Sequence, residues 1–118
     1  MELNGIRVLV VEDEALIAMV IEEQLAELGC EVSGASRLEE AMEKAKILPL
    51  DAAVLDVNLA GMLSYPVAQI LHARGVPFVF ATGYGVQGLP PELSGVPVLS
   101  KPFGQQELAA ALHALRAS

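Results

Sequence analysis

The 118-residue sequence is short of several things, and each shortage narrows what the chain can be. It has one cysteine, Cys30, so an internal disulfide cannot form, which fits a reducing compartment. Its apolar runs have the length of strands and are too short to cross a bilayer. The N-terminus, Met1 to Asn4, lacks the basic region that opens a signal peptide. We therefore expect a cytosolic (cytoplasmic) protein without a membrane segment.

Positive charge is also scarce. The chain has 7 basic residues against 15 acidic ones, which gives a net charge of −8. Binding to nucleic acid phosphates requires a basic face, so this balance argues against nucleic acid as a direct partner. It is compatible with a cation as ligand, or with a partner protein that presents a basic patch.

Apolar side chains, by contrast, are abundant. They make up 53% of the sequence, which is enough to build a sizeable core and argues against disorder. The length fits one domain, and we find no repeat, low-complexity stretch or linker. We predict a single domain over residues 1–118, with no effector domain attached.

Strand-like and helix-like segments alternate along the chain five times. This alternation is typical of a parallel sheet covered by helices on both faces. We predict a flavodoxin-like (βα)5 three-layer sandwich with strand order 2-1-3-4-5, whose ligands bind at the carboxyl ends of the strands. The predicted strands are residues 6–11, 31–35, 52–55, 77–81 and 97–100, and the predicted helices are residues 14–28, 36–46, 65–74 and 105–116.

Three local patterns give further predictions. Ser36-Arg37-Leu38-Glu39 predicts a capping box in which Glu39 accepts a hydrogen bond from the Ser36 amide. Residues 58–64 are predicted to form a loop. The glycines and prolines of residues 85–95 predict that any helix there is short or mobile.

Four of the predicted strands run directly into side chains that can do chemistry. Glu12 and Asp13 follow the first strand, Asp56 the third, Thr82 the fourth and Lys101 the fifth. Each alone has an ordinary explanation, such as a turn residue, a helix cap or a solvated lysine. Because the carboxyl ends of parallel strands meet at one edge, we expect all five residues in one crevice.

Such a crevice favours cation and phosphoryl chemistry. Neighbouring carboxylates repel one another, and oxygen ligands suit Mg²⁺. A carboxylate can also act as a nucleophile toward phosphorus. The cation, the Lys101 ammonium and the Thr82 hydroxyl could each take one phosphoryl oxygen, so the set is complete for making and holding a phosphoaspartate.

In these residues the sequence resembles the receiver domains of bacterial two-component response regulators. The matching motifs are spread over nearly the whole chain: Glu12-Asp13, Asp56, Thr82 and Lys101-Pro102-Phe103. The resemblance implies that Asp56 accepts a phosphoryl group from a histidine kinase. It also implies that Lys101 pairs with the phosphate and that Thr82 moves toward it as a switch.

The same resemblance implies Mg²⁺ as the cofactor. Asp13, Asp56 and the backbone carbonyl of Asn58 would bind the cation directly, and Glu12 would bind it through a water molecule. The Lys101–Pro102 peptide bond becomes a candidate for the rarer cis isomer.

Two departures from the receiver pattern are informative. Val98 stands where receivers carry an aromatic switch residue, three positions before the lysine, and Ala60-Gly61 stands where a proline usually follows the leucine. With the Phe-Ala-Thr-Gly motif that ends in Gly83, they resemble a subgroup of single-domain receivers without the aromatic switch. We hypothesise that Tyr84 and residues 85–95 carry the switch instead. Amide exchange with and without beryllofluoride tests this.

The function we expect is a signalling switch. Its enzymology would be limited to self-catalysed phosphoryl transfer and slow autodephosphorylation. Its partners would be a histidine kinase or a histidine phosphotransfer protein, and a downstream protein target that reads shifts in the loops and in the helix region between the fourth and fifth predicted strands. We expect a monomer or a weak dimer.

Rival functions remain open beside the switch. One is a Mg²⁺-dependent aspartyl-phosphate hydrolase, although such enzymes usually carry two aspartates two residues apart after the first strand. Another is a phosphate sink or shuttle within a phosphorelay. A flavodoxin is disfavoured because Glu12 and Asp13 would repel the FMN phosphate, and the intact Asp56, Thr82 and Lys101 argue against a module that only binds other proteins.

Overall fold

The computed structural model describes residues 3–83 and 89–117, and within them α-helices alternate with parallel strands. No helix in these two ranges is long and apolar enough to cross a membrane. The strands of the main sheet are β1 (Arg7–Val11), β2 (Glu31–Ala35), β3 (Ala52–Asp56), β6 (Phe78–Thr82) and β7 (Val98–Ser100); the short strands β4 (Asn58–Leu59) and β5 (Met62–Leu63) pair separately; and the helices are α1 (Ala15–Glu27), α2 (Leu38–Ile47), α3 (Tyr65–Arg74) and α4 (Gln105–Ala117).

The main sheet has the order β2-β1-β3-β6-β7, and all its neighbours are parallel. Counted along its five strands, this is the predicted order 2-1-3-4-5, so the predicted flavodoxin-like fold is confirmed. The order places β1 and β3 side by side at the centre. The acidic ends of these two strands are therefore adjacent.

Both faces of the sheet are buried, because successive side chains of a strand point to opposite faces. Leu9 and Val11 of β1 belong to the cluster under α2 and α3, whereas Val8 and Val10 belong to the cluster under α1 and α4. This explains why the central strands read as unbroken apolar runs without alternation. The result is the predicted three-layer sandwich.

The predicted loop over residues 58–64 is a β-hairpin instead. Strands β4 and β5 pair in antiparallel fashion, with Leu59 opposite Met62. The two residues between them, Ala60 and Gly61, have φ of 51° and 89°, as a tight two-residue hairpin turn requires. Strands of two residues are too short to produce a detectable period in the sequence, so the pattern could not reveal them.

Two other local predictions can be compared with the structure. The predicted capping box is wrong by one residue, since the Ser36 amide donates to Glu40 Oε1 at 3.1 Å and not to Glu39. Helix α2 begins at Leu38, so Glu40 and not Glu39 lies on the side that faces Ser36. Between β6 and β7 the described residues contain a single 3₁₀ turn, Pro91–Leu93, and Tyr84 with the rest of residues 84–88 lies outside the described residues.

An ion pair between Arg7 and Asp51 links the start of β1 to the start of β3, at the edge of the sheet opposite the acidic strand ends. Arg7 Nε donates to Asp51 Oδ2 at 3.0 Å, and Arg7 Nη2 donates to Oδ1 at 3.2 Å. The backbone amide of Arg7 also donates to Asp51 Oδ2, and the amide of Asp51 donates to the carbonyl of Arg7. The pair lowers the pKa of Asp51 to about 2, chiefly through these hydrogen bonds.

Candidate functional site

The parallel register brings the strand-end side chains to one edge of the sheet. Asp56, the last residue of β3, lies opposite Ala81 of β6, and Thr82 follows at the end of β6. The amide of Lys101 donates to the carbonyl of Thr82 at 2.9 Å, which ties the residue after β7 to the end of β6. Asp13, Asp56, Asn58, Thr82 and Lys101 line a common cleft of about 380 Å³.

Three carboxylates form a tight cluster beside this cleft. One oxygen each from Glu12, Asp13 and Asp56 lies within 4.8 Å of the other two. The side chain of Glu12 is 1% exposed and that of Asp56 is 12% exposed, so solvent screens their repulsion poorly. Unpaired buried charge is costly, and the cluster therefore requires compensation.

Lys101 supplies part of that compensation. Its Nζ donates to Glu12 Oε1 at 2.5 Å and lies 3.5 Å from Asp56 Oδ2. Burial lowers the pKa of Lys101, but the hydrogen bond to Glu12 and the negative charges of Asp56 and Glu12 outweigh it, so the pKa is raised overall. Lys101 is therefore positively charged at neutral pH.

The compensation is incomplete at Asp56. Burial, with the negative charge of Glu12 acting in the same direction, raises the pKa of Asp56 from 3.8 to about 7, even though Lys101 opposes the shift. With all groups ionised, three carboxylates and one ammonium sum to −2. The site would gain from a divalent cation, and its donors are oxygens, the ligands that Mg²⁺ prefers. The residues present therefore fit Mg²⁺.

Asn58 lies at the base of the hairpin, next to Asp56. The amide of Ser64 donates to the carbonyl of Val57, so the alternation of an antiparallel pair leaves the amide and carbonyl of Asn58 outside the ladder. The Asn58 amide makes a long contact of 3.5 Å with Asp56 Oδ1. The Asn58 side chain contacts the hairpin turn, where its Oδ1 accepts a hydrogen bond from the Gly61 amide at 2.7 Å.

Three further predicted features lie on or next to strands β6 and β7. Thr82 is buried at the end of β6. The Lys101–Pro102 peptide bond is cis. Val98 begins β7 with 44% of its surface exposed, so the sheet carries a small, partly exposed side chain at the position where receivers carry an aromatic residue.

One contact at the site was not predicted from the sequence. The backbone amide of Ala60, at the hairpin tip, donates to Asp13 Oδ2 at 3.0 Å. A main-chain donor has no signature in the sequence, although the Asn58–Gly61 stretch has the residue types of a turn. Recognising that turn would have been the available signal.

Fold and site together define a class: a doubly wound parallel α/β domain with a cluster of carboxylates where the central strands end. The chain belongs to the response regulator receiver domain family, whose model matches residues 8–113. It is therefore the receiver domain of a two-component response regulator.

Individual proteins show the same similarity. The solution structure of SdrG from Sphingomonas melonis Fr1 is 42% identical, has a TM-score of 0.83, and covers 98% of this chain and 99% of its own. The receiver domain of the sensor histidine kinase PA1611 from Pseudomonas aeruginosa PAO1 is 28% identical with a TM-score of 0.85, covering 97% of this chain and 99% of its own. Its crystal structure has a magnesium ion coordinated in the active site cleft.

Longer relatives share the domain. The probable transcriptional regulator ycf27 of Cyanophora paradoxa is 33% identical over 121 residues, which cover 98% of this chain and 50% of that protein. The chain thus spans about half the length of this relative.

Proposed function

We propose that this receiver domain is a phosphoacceptor switch whose Asp56 takes a phosphoryl group from a histidine kinase or a histidine phosphotransfer protein. The observation that carries the proposal is the position of Asp56, which shares the acidic cluster with Glu12 and Asp13 and lies 3.5 Å from the Lys101 ammonium. A nucleophilic carboxylate beside a fixed cation is what phosphoryl transfer requires.

Asp13, Asp56 and the carbonyl of Asn58 would hold Mg²⁺ directly, and Glu12 would hold it through water. When bound, the cation supplies positive charge to the phosphoryl oxygens. The exposed carbonyl edge of Asn58 and the all-oxygen cluster support this assignment. The magnesium ion in the PA1611 receiver cleft supports it by analogy.

In the transfer step, a carboxylate oxygen of Asp56 forms the new P–O bond while the P–N bond to the donor imidazole breaks. The imidazole nitrogen leaves with the electron pair of that bond and takes up a proton. The Lys101 ammonium shifts from Glu12 toward one of the incoming phosphoryl oxygens. The Thr82 hydroxyl at the end of β6 donates a hydrogen bond to another phosphoryl oxygen. The added negative charge then biases the adjoining loops, and a protein target reads the result.

Within the family, we infer that the chain belongs to the Phe-Ala-Thr-Gly subgroup without the aromatic switch. The motif ending at Gly83 and the small Val98 on β7 support this. Tyr84 and the following residues, rather than a residue of β7, would then carry the conformational change. The fold and cleft also suit a phosphate sink or shuttle, because these roles use the same acceptor chemistry.

The test is incubation of the chain with acetyl phosphate and Mg²⁺, followed by intact-protein mass spectrometry. We expect a stable adduct of one phosphoryl group per chain, which Asp56→Asn abolishes. Asp51→Asn is the matched control, because Asp51 precedes the same strand at the opposite edge of the sheet and should leave the adduct intact. Multiple turnovers without a lasting adduct would favour the hydrolase instead.

A further inference from the structure

The hairpin that follows Asp56 reaches back across the site to Asp13. The amide of Ala60 donates to Asp13 Oδ2 at 3.0 Å, a contact between residues 47 positions apart. It connects the tip of the hairpin to the end of β1. The hairpin therefore connects β3 to α3 and also contacts the acidic cluster directly.

The Ala60 amide is held in place from several directions. The turn requires left-handed backbone at Ala60 and Gly61, with φ of 51° and 89°. The Gly61 amide donates a hydrogen bond to Asn58 Oδ1 at 2.7 Å. Leu59, the residue before the tip, is buried in the core under α2 and α3. A donor fixed in this way can orient whatever accepts from it.

We propose that the Ala60 amide is a positioning group for the cation site: it holds the Asp13 carboxylate in the orientation in which it binds Mg²⁺. This rests on the proposed function, since it takes Asp13 to be a ligand. A carboxylate offers about four acceptor directions, so Asp13 can accept this amide and still ligate a cation. Partners that orient a metal ligand typically contribute tenfold or more to metal affinity.

The residue type at position 60 matters for this role. A proline there would have no N–H to donate, and its φ near −65° is incompatible with the observed 51°. The presence of Ala60-Gly61 in place of a proline after Leu59 is therefore what makes the donor possible. The positioning group follows from the backbone that this pair of residues adopts.

The experiment measures Mg²⁺ affinity by isothermal titration calorimetry on the full chain and two variants. Ala60→Gly keeps the amide and suits positive φ, so we expect its affinity to stay within about twofold of the wild type. Ala60→Pro removes the donor, and we expect Mg²⁺ binding to weaken by about tenfold or more. Equal affinities for wild type and Ala60→Pro would overturn the proposal.

Because Ala60→Pro also disturbs the turn, a gentler pair of substitutions isolates the donor. Lactic acid in place of Ala60 converts its amide to an ester and removes one N–H, while glycolic acid in place of Gly75 removes an N–H that donates to the His72 carbonyl at the end of α3, remote from the acidic cluster. We expect weakened Mg²⁺ binding from the ester at position 60 and near-wild-type binding from the ester at position 75. Equal effects of the two esters would overturn the proposal.

A readout without metal completes the test. In ¹H–¹⁵N spectra of the metal-free protein, Asp13→Asn should move the Ala60 amide resonance upfield and speed its exchange with solvent. An unchanged resonance would contradict the proposal. The two proposals can fail separately. If no phosphoryl adduct forms on Asp56 but Ala60→Gly and Ala60→Pro still differ in Mg²⁺ affinity, only the phosphoacceptor function is refuted. If the adduct forms but the two variants bind Mg²⁺ equally well, only the positioning role is refuted.

Discussion

At the scale of single residues, Asp56 serves two opposing demands. The ionised side chain is the proposed nucleophile, but burial, together with the negative charge of Glu12, makes ionisation unfavourable and raises the pKa of Asp56 to about 7. A group whose pKa is raised in the folded state favours folding while it is protonated. The stability that this proton provides is lost as the pH rises from about 4 to about 7.

We therefore predict that Asp56→Asn stabilises the metal-free protein at pH 8. The asparagine removes the cost of burying the charge and the repulsion with Glu12. One pKa unit corresponds to 1.36 kcal/mol, so the shift sets an upper limit of about 4 kcal/mol, and because Asp56 keeps some contact with solvent we expect the free energy of unfolding to rise by about 1–3 kcal/mol. At pH 4 the two proteins should be nearly equal, because Asp56 is then protonated. Urea unfolding at both pH values measures the difference.

Mg²⁺ provides the control for that experiment. It should stabilise the wild type at pH 8 by binding to the folded state, and it should stabilise Asp56→Asn much less. A variant that is no more stable than the wild type in metal-free buffer at pH 8 would show that the repulsion is relieved in another way.

At the scale of elements, the ion pair between Arg7 and Asp51 joins the starts of β1 and β3. Since the pKa of Asp51 is depressed to about 2, its contribution to stability is present above pH 4 and is lost as the pH falls toward 2. Both side chains are partly exposed, so solvent reduces the size of this contribution.

We predict that Asp51→Asn lowers the free energy of unfolding by about 1 kcal/mol at pH 7. The difference from the wild type should shrink below pH 3, because protonation of Asp51 then removes the same charge. Urea titrations at pH 7 and at pH 2.5, which is well below the usual pKa of an aspartate side chain, test this. A difference that stays constant over this range would assign the effect to packing or to hydrogen bonds that do not depend on charge.

The elements also show which features the sequence could predict. The five sheet strands and their order were predictable because short, mostly apolar segments alternate with helical periods, which follow every strand of this sheet except β6. The hairpin strands Asn58–Leu59 and Met62–Leu63 were missed because two residues cannot display a period. The shift from Glu39 to Glu40 at the start of α2 depended on one residue of helix phase, which side-chain pattern does not determine.

The site was predictable for a related reason. Asp13, Asp56 and Lys101 each lie at the end of a strand or within two residues after it, and parallel topology brings such residues together at one edge. Their pairing was not predictable: Lys101 donates to Glu12 before any phosphoryl group is present, and Asp13 accepts from Ala60. Both contacts depend on side-chain rotamers and on a backbone amide in a turn.

At the scale of the whole molecule, the net charge of −8 acts on charged donors before they reach the cleft. The domain measures 35 × 28 × 24 Å, and the Debye length at 0.01 M salt is about 30 Å. At low salt an approaching anion therefore experiences the charge of the entire domain. At physiological salt, where the Debye length is about 8 Å, it experiences mainly the groups around the cleft.

We predict that phosphorylation by acetyl phosphate becomes faster with added salt at saturating Mg²⁺. Screening weakens the repulsion between the anionic donor and the domain, so the rate should rise by about two- to fivefold between 0.01 M and 0.15 M sodium chloride. Adduct formation followed by mass spectrometry measures the rate. A rate that falls with salt would mean that local positive charge, and not the net charge, governs the approach of the donor.

Strand β1 carries the stabilising ion pair at one end and the repelling acids at the other. Arg7 and Glu12 are five residues apart, which corresponds to about 16 Å along a strand. Sites separated by more than about 10 Å usually contribute additively to stability. A substitution that strengthens the ion pair of Arg7 could thus offset the stability lost by adding negative charge near Glu12. The stability of the domain and the charge of its acidic cluster could then be adjusted independently at the two ends of one strand.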